Sequence, residues 1–436
     1  MAGARNAEYK LHPQRDALYN ELHIRPFHPL SSPQQITHLA ACAQREQLAL
    51  VHQQICELCT RYNVNQPAAE AVSFHQTFGD FSLHWEQHVE FYSLTIFQAC
   101  PISGEPFEHP AINLLPADWL KALPGEMVAT FHLIIDDRQL DDQYSALSRY
   151  FEGQQVMISR AKGGKAQLFT AFKLHGDGYG RFIIRNNGLN DEQMGQLARR
   201  LMEMETYRLL ALISLPIAKQ IGPHLVDMDQ HLAEILTQVS KLDSTRGERQ
   251  LLGQLTELEA QLETYRAATN RRFSATRAYH ELVHSRLNGM QEENVNGHLS
   301  LQEFMNRRLN PALRTCESLR DWMEDLSKRI ERASDLLRTR VNLNLQEQNR
   351  SLLSAMNRRS QLQFRLQETV EGLSIVAISY YMVGLIGYLL SGLPLEEWGL
   401  SKKVLIACAI PLVLLTVGII THRIKHRLIK NPLGDE

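Results

Sequence analysis

The stretch FSLHWEQHVEFYSLTIF, residues 81–97, decides the fold class of the first half of the chain. It is rich in aromatic and β-branched residues, which favour strands. Similar runs follow it: MVATFHLII (127–135), QQVMISR (154–160), AQLFTAFKL (166–174) and GRFIIRN (180–186). Gly163-Gly164 and Asp177-Gly178 separate the last three runs, a pattern typical of hairpins. We therefore expect a mixed sheet that ends in an antiparallel meander.

Helical patterns surround these strand runs. One covers about Gln34–Arg61, and short helices are expected at Ala117–Ala122 and Asp141–Tyr150. Together with the strands, these elements predict an α/β domain over residues 1–190.

From Asp191 onward the strand signals stop, and apolar residues spaced by alternating steps of four and three predict long helices with a heptad seam. The seam residues are Leu251, Leu255, Leu258, Leu262 and Tyr265, then Leu319, Trp322, Leu326, Ile330, Ala333 and Leu337. Breaks near Ser240–Gly247 and Asn294–Gly297 leave three long helices, a coiled-coil-like stalk over residues 191–370. Because Leu209–Ile217 is too short to span a bilayer, we expect a buried helix there. The fold class is α+β.

Two uncharged runs near the end of the chain predict membrane spans. They are LSIVAISYYMVGLIGYLL (Leu373–Leu390) and VLIACAIPLVLLTVGII (Val404–Ile420). Each is close to the ~17–25 apolar residues that a helix needs to cross a bilayer. We expect a transmembrane hairpin over residues 371–422, with its first span continuous with the last long helix.

Charge around the two runs predicts their orientation. Basic residues flank the outer ends of the hairpin, and these are Arg358, Arg359, Arg365, Arg423, Lys425, Arg427 and Lys430. Since such residues stay on the cytoplasmic side, both termini and the basic tail 423–436 are expected inside. The opening MAGARNAEYKLHPQRD has no apolar core and predicts no signal peptide. The predicted location is the bacterial inner membrane, with a large cytoplasmic domain.

Composition narrows the function classes. The 436 residues carry a formal net charge of −2, so no basic field favours nucleic acid. Six scattered cysteines favour a reducing compartment over a disulfide framework. P-loop, GxSxG, HExxH and GxGxxG patterns are absent from useful contexts. We expect no enzyme, and no cofactor other than a divalent cation.

The first candidate cation site is the alternating set His84, Glu86, His88 and Glu90. On one continuous strand these side chains share a face, and imidazoles with carboxylates can bind a divalent cation. The alternative interpretation is a solvated strand face opposite a buried Trp85, Val89 and Phe91.

The second candidate is the acidic set Asp136, Asp137, Asp141 and Asp142, which follows a predicted strand. Carboxylates suit Mg²⁺ or Ca²⁺. Helix capping and compensation of the helix dipole account for the same residues without a ligand.

A weaker metal alternative is the set His52, Cys56 and Cys59, which shares one helix face at steps of four and three. Small cysteines on the buried side of a helix are the competing interpretation. The segment ELHIRP contributes a further possibility with Glu21, His23, Arg25 and Pro26. It is either a docking or anion contact through Arg25 or a structural clamp on the sheet.

The first span carries a stripe of small and polar residues, which we call the span stripe: Ser374, Ala377, Tyr381, Gly384, Tyr388 and Ser391. Such a stripe is either a helix-packing seam or the wall of a pore. Because neither span carries an ionisable side chain of Asp, Glu, Lys, Arg or His, a proton-coupled transporter is disfavoured.

Five segments carry a resemblance over essentially the whole chain: ELHIRP, HWEQHVEFYS, YFEGQQVMIS, LMEMETYRLLALISLPIA and LQETVEGLSIVAISYYMVGL. The sequences of these segments resemble a bacterial membrane-protein family catalogued as a domain of unknown function. The resemblance implies an inner-membrane protein of proteobacterial type and carries no assigned activity.

The order of the predicted parts is also similar to that of CorA-type magnesium channels, which are pentamers with the first span lining the pore. The Gly-Met-Asn signature of that family is absent, and the corresponding region reads YMVGLIGYLLSGLP. Its selectivity residues therefore do not carry over.

Two functions are compatible with these patterns. One is a membrane-anchored interaction or scaffold protein, whose hairpin tethers the cytoplasmic parts. The alternative is a homo-oligomeric ion channel or transporter with the span stripe facing the pore. Either predicts the lipid bilayer and further copies of the chain as partners, and no nucleic acid.

Overall fold

A computed structural model describes residues 12–21, 28–99, 105–137, 144–239, 241, 245–392 and 401–430. The strands are β1 (Gln34–Cys42), β2 (Ser73–Thr77), β3 (Phe81–Gln87), β4 (Phe91–Ala99), β5 (Glu126–Asp136), β6 (Met157–Ala161), β7 (Ala166–Thr170), β8 (Gly180–Asn186) and β9 (Glu292–Asn294).

The helices alternate with these strands at first and then dominate the chain. They are α1 (Arg15–Glu21), α2 (Arg45–Arg61), α3 (Ala117–Lys121), α4 (Tyr144–Tyr150), α5 (Asp191–Leu212), α6 (Ser214–Val239), α7 (Thr245–Met290), α8 (Leu301–Phe304), α9 (Asn310–Ser391) and α10 (Lys402–Lys430). A short 3₁₀ helix covers Ala111–Leu114, and a π-helical turn covers Met305–Leu309.

All nine strands form one sheet in the order β2-β3-β4-β1-β5-β8-β7-β6-β9. Only the β5–β8 pair is parallel among the described strands, and β8-β7-β6 is an antiparallel meander. The expected α+β class, with a mixed sheet that ends in a meander, is confirmed.

Alternation along the strands divides the buried side chains between the two faces of the sheet. On one face Trp85 and Leu39 join the buried side of α2, which includes Ile55. On the other face Phe131 packs in a cluster with α5, represented by Leu201, and with the end of α7. The sheet is therefore covered on both faces by helices.

The prediction of helix from Gln34 is wrong for its first part. Residues 34–42 form β1, which pairs with β4 on one side and with β5 on the other. Hydrogen bonds along both edges outweigh the local helical preference of this alanine-rich segment. The helix begins only at Arg45, where the backbone N–H of Gln44 donates to Oε1 of Gln47 at 2.8 Å.

The sequence predicts no strand after residue 191, and this prediction is wrong, because one further strand follows. β9 lies in the connection after α7 and pairs antiparallel with β6 at the edge of the sheet. The carboxylate of Glu292 accepts bonds from the backbone N–H groups of Leu301 (2.6 Å) and Gln302 (2.9 Å). It also accepts the hydroxyl of Ser159 on β6. One side chain therefore joins the sheet edge to the start of α8.

Leu209–Ile217 is not one helix. α5 ends at Leu212 and α6 begins at Ser214, because Pro216 has no N–H to donate to the carbonyl of Leu212. The breaks expected near residues 240–247 and 294–297 are confirmed by the ends of α6 and α7 and the start of α8. Most seam positions are buried as predicted, among them Leu255, Leu262, Leu326 and Ile330.

The chain divides into two compact units. One comprises residues 1–241 with 251–334, and the other residues 242–250 with 335–436. The predicted domain boundaries at residues 190 and 370 stay predictions, since compactness does not test independent folding. Both predicted spans lie inside helices, one in α9 and one in α10. In the second unit, Lys402 donates to the hydroxyl of Ser391, and Gly387 faces Ile406.

Candidate metal centre

The β2–β3 hairpin places two histidines opposite each other. Its two-residue turn is Gly79-Asp80, with Gly79 at φ 78° and the backbone N–H of Phe78 donating to the carbonyl of Phe81 at 2.7 Å. In the resulting register His75 faces His84 directly. Side chains at such positions have Cβ atoms about 4.5–5.5 Å apart, so both imidazoles lie on one face of the sheet.

A third histidine reaches this pair from the segment before β1. His28 lies against α5, and two residues later the N–H of Leu30 donates to the carbonyl of Asp191 at 3.0 Å. The close approach requires glycine at position 195 of α5, because a Cβ there would lie 2.1 Å from the carbonyl oxygen of His28. Gly195 is therefore the residue that lets His28 reach the sheet.

The three imidazoles form a compact group, which we call the histidine cluster: His28, His75 and His84. The ring of His28 stacks on that of His75 with centroids 4.0 Å apart, and it meets the ring of His84 edge-on at 4.9 Å. One ring nitrogen from each residue lies within 4.8 Å of the other two. Tetrahedral zinc, with Zn–N distances of ~2.0–2.1 Å, places its ligand nitrogens roughly 3.3 Å apart. Small side-chain rotations would close this difference.

Two ring nitrogens of the cluster are buried without a partner. Nε2 of His28 and Nδ1 of His84 hydrogen-bond to no residue in the part of the chain that the structure describes. As a whole residue His84 is 8% exposed, whereas His75 is exposed on the edge hairpin. The cluster is therefore accessible from solvent through His75 and holds ring nitrogens without a hydrogen-bond partner deeper inside.

Glu86 is the carboxylate beside the cluster. Nε2 of His84 lies 3.1 Å from its Oε1, and Nη2 of Arg199 donates to the same oxygen at 3.2 Å. Burial opposes ionisation of Glu86, but the hydrogen bond from His84 and the charge of Arg199 outweigh it and lower its pKa to about 2. Glu86 is therefore an anion at neutral pH, and it orients the ring of His84.

A chain of ion pairs holds Arg199 in place. Its Nε donates to Glu203 on the next turn of α5 at 2.7 Å, and Arg286 of α7 pairs with the second oxygen of Glu203. The carboxylate of Glu86 is thus connected through α5 to α7. Partly buried pairs of this kind fix geometry, because breaking one leaves a charge without its partner.

Two imidazoles of the cluster have weakened basicity. Burial, together with the neighbouring histidines His28 and His84, lowers the pKa of His75 to about 4. The pKa of His28 is lowered first by burial and then by His84 and Arg199. Both rings are neutral at pH 7 and can donate a lone pair without first losing a proton.

The polar row continues across the sheet beyond the cluster. His84 faces Thr95 on β4, and Thr95 faces His38 on β1. Both nitrogens of His38 have partners, Thr95 at 2.8 Å and Thr206 of α5 at 3.1 Å. Burial lowers the pKa of His38 to about 3. His38 is thus a core histidine with both ring nitrogens hydrogen-bonded, and in this it differs from the histidine cluster. A cavity of about 50 Å³ lies next to the cluster.

The structure separates the first predicted cation site. His84 and Glu86 lie on β3, but that strand ends at Gln87, so His88 and Glu90 belong to the connection to β4. His88 still reaches Glu86, with its Nε2 3.8 Å from Oε2. Glu90 accepts instead from Arg272 at 2.9 Å and from the hydroxyl of Tyr279 at 2.6 Å. The prediction that all four side chains share one strand face is therefore wrong. The alternative of a solvated strand face is also wrong, because α5 covers His84 and Glu86.

His52, Cys56 and Cys59 share α2 as predicted, but they do not act together. Nδ1 of His52 lies 3.6 Å from the sulfur of Cys56, and its Nε2 bonds the carbonyl of Ala68 at 2.9 Å. Cys59 is fully buried in the apolar cluster around Trp85. Burial raises the pKa of the Cys59 thiol to about 11, which opposes the thiolate that a metal needs.

Only part of the other two candidate sets lies among the described residues. Asp136 is the buried last residue of β5, and Asp137 follows it exposed. Asp141 and Asp142 lie outside the described residues, as do His23, Arg25 and Pro26, while Glu21 is the last residue of α1. Neither the acidic set nor the ELHIRP segment is assembled by the described structure.

The span stripe lies on the exposed side of α9. Its members Ser374, Ala377, Tyr381, Gly384, Tyr388 and Ser391 are all exposed, and a Cβ at Gly384 would meet nothing within 4 Å. Within the predicted spans the buried residues are others: Ser379 on α9, with Val413 and Val417 on α10. The stripe is therefore not a packing seam within the described chain.

Sequence reasoning missed two of the three cluster residues, His28 and His75. A signal existed for His75: Gly79-Asp80 between two alternating runs predicts a two-residue hairpin, and the register then pairs residues equally distant from the turn. His28 had no such signal, because its approach to α5 depends on Gly195, about 170 residues later in the chain.

A nine-stranded mixed sheet, long helices and a sheet-edge histidine cluster define the class as an α+β protein with extended helices. The chain belongs to the family described as "Protein of unknown function (DUF3422)", whose family model matches residues 10–428. This match confirms the resemblance over essentially the whole chain. No curated protein matches the chain, and the comparisons do not support the similarity to CorA-type channels.

Proposed function

We propose that this chain is a membrane-anchored interaction protein. The end of α9 and α10 cross the bilayer, hold the α+β unit on the cytoplasmic side, and present the solvated part of α9 to further copies of the chain. The proposal assigns no catalysis. The observation that carries it is the exposure of apolar side chains around these helices.

Apolar exposure on the predicted spans is too extensive for water. Leu373, Leu389 and Leu412 are 75%, 72% and 67% exposed, and similar residues continue around both helices. A helix that is apolar all round is either buried in protein or in lipid, and these helices are not covered by the described chain. Lipid is the medium that fits them.

By length and composition, three helical stretches among the described residues can cross a membrane: Asp191–Val239, Leu301–Ser391 and Lys402–Ile424. The first differs from the other two, because α5 packs in the sheet's core cluster and α6 buries one side at Leu225, Leu232 and Ile235. Because the first stretch packs in the core, a bilayer location is supported only for the last two stretches.

Basic residues support a cytoplasmic location for both termini, as predicted from residues 358–365 and 423–430. This orientation places the α+β unit in the cytoplasm of a bacterial cell with the chain in its inner membrane. The polar residues near 391–403 then lie on the outer side.

The part of α9 before the span supports an interaction role. Every residue from 346 to 370 is exposed, including Leu352, Met356 and Leu366, each more than 60% exposed. A single helix with such side chains is stabilised when other helices cover them. A second copy of the chain supplies the same surface at the same height above the membrane, so we propose a homo-oligomer.

Membrane anchoring is tested with the full chain expressed in bacteria. Washing the membranes at alkaline pH should leave the protein in the pellet, and a C-terminal reporter that fluoresces only in the cytoplasm should be bright. Release of the protein into the supernatant would contradict the anchor, and a dark reporter would contradict the orientation.

Self-association is tested by the mass of the detergent-solubilised protein. We expect an oligomer that the double substitution Leu352→Glu, Met356→Glu dissociates, whereas Gln348→Glu on the same exposed helix leaves it intact. A monomeric wild-type protein would contradict the homo-oligomer and leave the anchor untouched.

A pore is the second candidate, favoured by the exposed polar span stripe. Ion flux in vesicles that contain the purified protein, abolished by Gly384→Leu, would support it. Absence of flux from an oligomer of confirmed mass would leave the interaction role.

A further inference from the structure

We propose that His28, His75 and His84 bind a divalent transition-metal ion, with Zn²⁺ as the best match. The inference goes beyond the anchoring role and does not depend on it. All three residues belong to the first compact unit, residues 1–241 with 251–334, which we call the sheet unit. It would make the chain a metal-binding protein at the edge of its sheet.

The donor set selects the class of ion. Three imidazole nitrogens suit Zn²⁺, Cu²⁺ or Ni²⁺, whereas Mg²⁺ and Ca²⁺ require oxygen ligands. Three protein ligands leave a fourth position for water or another small ligand, as in open zinc sites. The cavity of about 50 Å³ that His28 and His84 line provides room for that ligand.

The geometry of His84 leaves one ring nitrogen for a metal. Nε2 faces the carboxylate of Glu86 at 3.1 Å, so Nδ1 is the nitrogen that remains. That Nδ1 is the buried nitrogen without a hydrogen-bond partner among the described residues. A carboxylate that fixes the second nitrogen of a ligating histidine is the usual outer support of a zinc site.

The second free nitrogen is Nε2 of His28, which is also buried. Two unpaired ring nitrogens in one group of rings carry a desolvation cost that hydrogen bonding does not offset in the described structure. His38, three strands from His75 in the same polar row, shows the contrast, since threonines satisfy both of its nitrogens. A metal ion would satisfy the cluster nitrogens together.

Glu86 and Arg199 are positioning residues in this proposal. Arg199 holds the carboxylate from α5, and the carboxylate holds the ring of His84. The metal would therefore join three parts of the unit: the segment before β1, the β2–β3 hairpin and, through Glu86, α5.

The test uses the full chain in detergent, purified without a histidine tag and stripped with a chelator. Titration calorimetry with Zn²⁺ should give one ion per chain, and Co²⁺ should give the visible absorption of a tetrahedral site. Mg²⁺ at the same concentration should give neither. A wild-type protein that binds no Zn²⁺ would overturn the proposal.

Substitutions locate the site. His75→Ala lies on the exposed hairpin, so the fold should persist, and affinity should fall by more than ~100-fold because a ligand is lost. Glu86→Gln should weaken binding by ~10–100-fold, the range for outer-shell partners. His109→Ala, also exposed but outside the cluster, should bind like the wild type.

A second pair of histidines, His280 and His284 of α7 with ring nitrogens 2.9 Å apart, provides the decisive alternative. Binding that survives His75→Ala and disappears in His284→Ala would overturn the proposal. Circular dichroism of each variant confirms that the loss of binding is not a loss of fold.

Discussion

The sheet unit and the membrane-span parts of the two C-terminal helices differ in the burial of large apolar side chains. Trp85 and Leu94 are fully buried in the sheet unit, whereas Tyr388 is 82% and Leu415 64% exposed on the C-terminal helices. Apolar content alone therefore does not determine burial. One part of the chain is folded against itself, and the other exposes its apolar side chains in the described structure, as the proposed bilayer location requires.

Buried polar atoms of the sheet unit take distant partners, and helical hydroxyls in both regions take local ones. In the sheet unit, buried polar atoms bond to distant parts of the chain: the hydroxyl of Tyr92 donates to the carbonyl of Pro124 at 2.7 Å, and the indole of Trp119 to that of Gln54 at 2.8 Å. In the C-terminal helices, the hydroxyls of Ser374 and Thr421 donate to the carbonyl four residues earlier. Such local satisfaction is what a bilayer requires, since lipid offers no partner.

The largest expected effect comes from the sheet core. Trp85→Ala should reduce the free energy of unfolding by ~3–5 kcal/mol, because a fully buried indole is replaced by a cavity. Urea unfolding of the detergent-solubilised chain, followed by the fluorescence of the remaining tryptophans, measures it. Tyr388→Ala is the matched control and should change stability by less than ~0.5 kcal/mol. Equal effects at the two positions would remove the contrast.

A charge in the second span should act on insertion and leave core packing unchanged. Leu412→Arg places a guanidinium near the middle of the apolar run of α10, at a cost of ~2.5–3.5 kcal/mol on insertion scales. We expect a several-fold smaller membrane fraction after alkaline washing. Leu343→Arg, equally exposed but outside the predicted spans, should stay in the membrane fraction. Unchanged insertion of the Leu412 variant would argue against lipid around α10.

The buried His132 on β5 makes the sheet unit sensitive to acid. Burial lowers its pKa to about 4, with the neighbouring Arg181 adding to the effect while Asp177 opposes it. The unfolded chain takes up this proton near pH 6.5 and the folded chain only near pH 4. Stability should therefore fall by up to ~3 kcal/mol between pH 6.5 and pH 4 and then stay level for this group.

His132→Asn should flatten that dependence, and His109→Asn should not. Melting temperatures across the pH window, read from tryptophan fluorescence, distinguish the two variants. The slope that remains in the His132 variant arises from other buried histidines such as His38, whose pKa is about 3. An unchanged slope in the His132 variant would show that this ring does not contribute.

The smallest predicted effect concerns the contact of His28 with α5. Gly195→Ala should reduce the stability of the sheet unit by ~1–3 kcal/mol, because the new methyl overlaps the carbonyl of His28 and the segment must shift. Gly253→Ala on α7, where a Cβ meets nothing within 4 Å, should be neutral or slightly stabilising. Thermal unfolding of both variants measures the difference, and equal melting temperatures would contradict the close contact.

Much of the fold could be predicted because its signals are local. The strand runs around Trp85, Phe131 and Phe182 combine aromatic and β-branched residues with turn residues between them, and each run forms a strand. β1 could not be predicted in this way. Its Ala40-Ala41 segment favours helix locally, and only pairing with β4 and β5 makes it a strand. β9, three residues long, carries too short a pattern to be noticed.

The candidate site was predicted less well for the same reason. His84 and Glu86 were identified from a local alternation, and they do lie together. His75 required the hairpin register, and His28 required a contact between segments far apart in the chain. The span stripe shows the reverse problem: its spacing is real, but which side of a helix is covered depends on the helix that packs against it.

The position of β9 has a consequence for folding during synthesis. Until residues 292–294 leave the ribosome, the outer edge of β6 stays unpaired, although the rest of the sheet is complete more than one hundred residues earlier. An unpaired edge is a template for other strands, and pairings so distant in sequence form late. The growing chain therefore exposes the unpaired edge of β6 while α5, α6 and α7 are being synthesised. Dependence on chaperones should be concentrated in that interval.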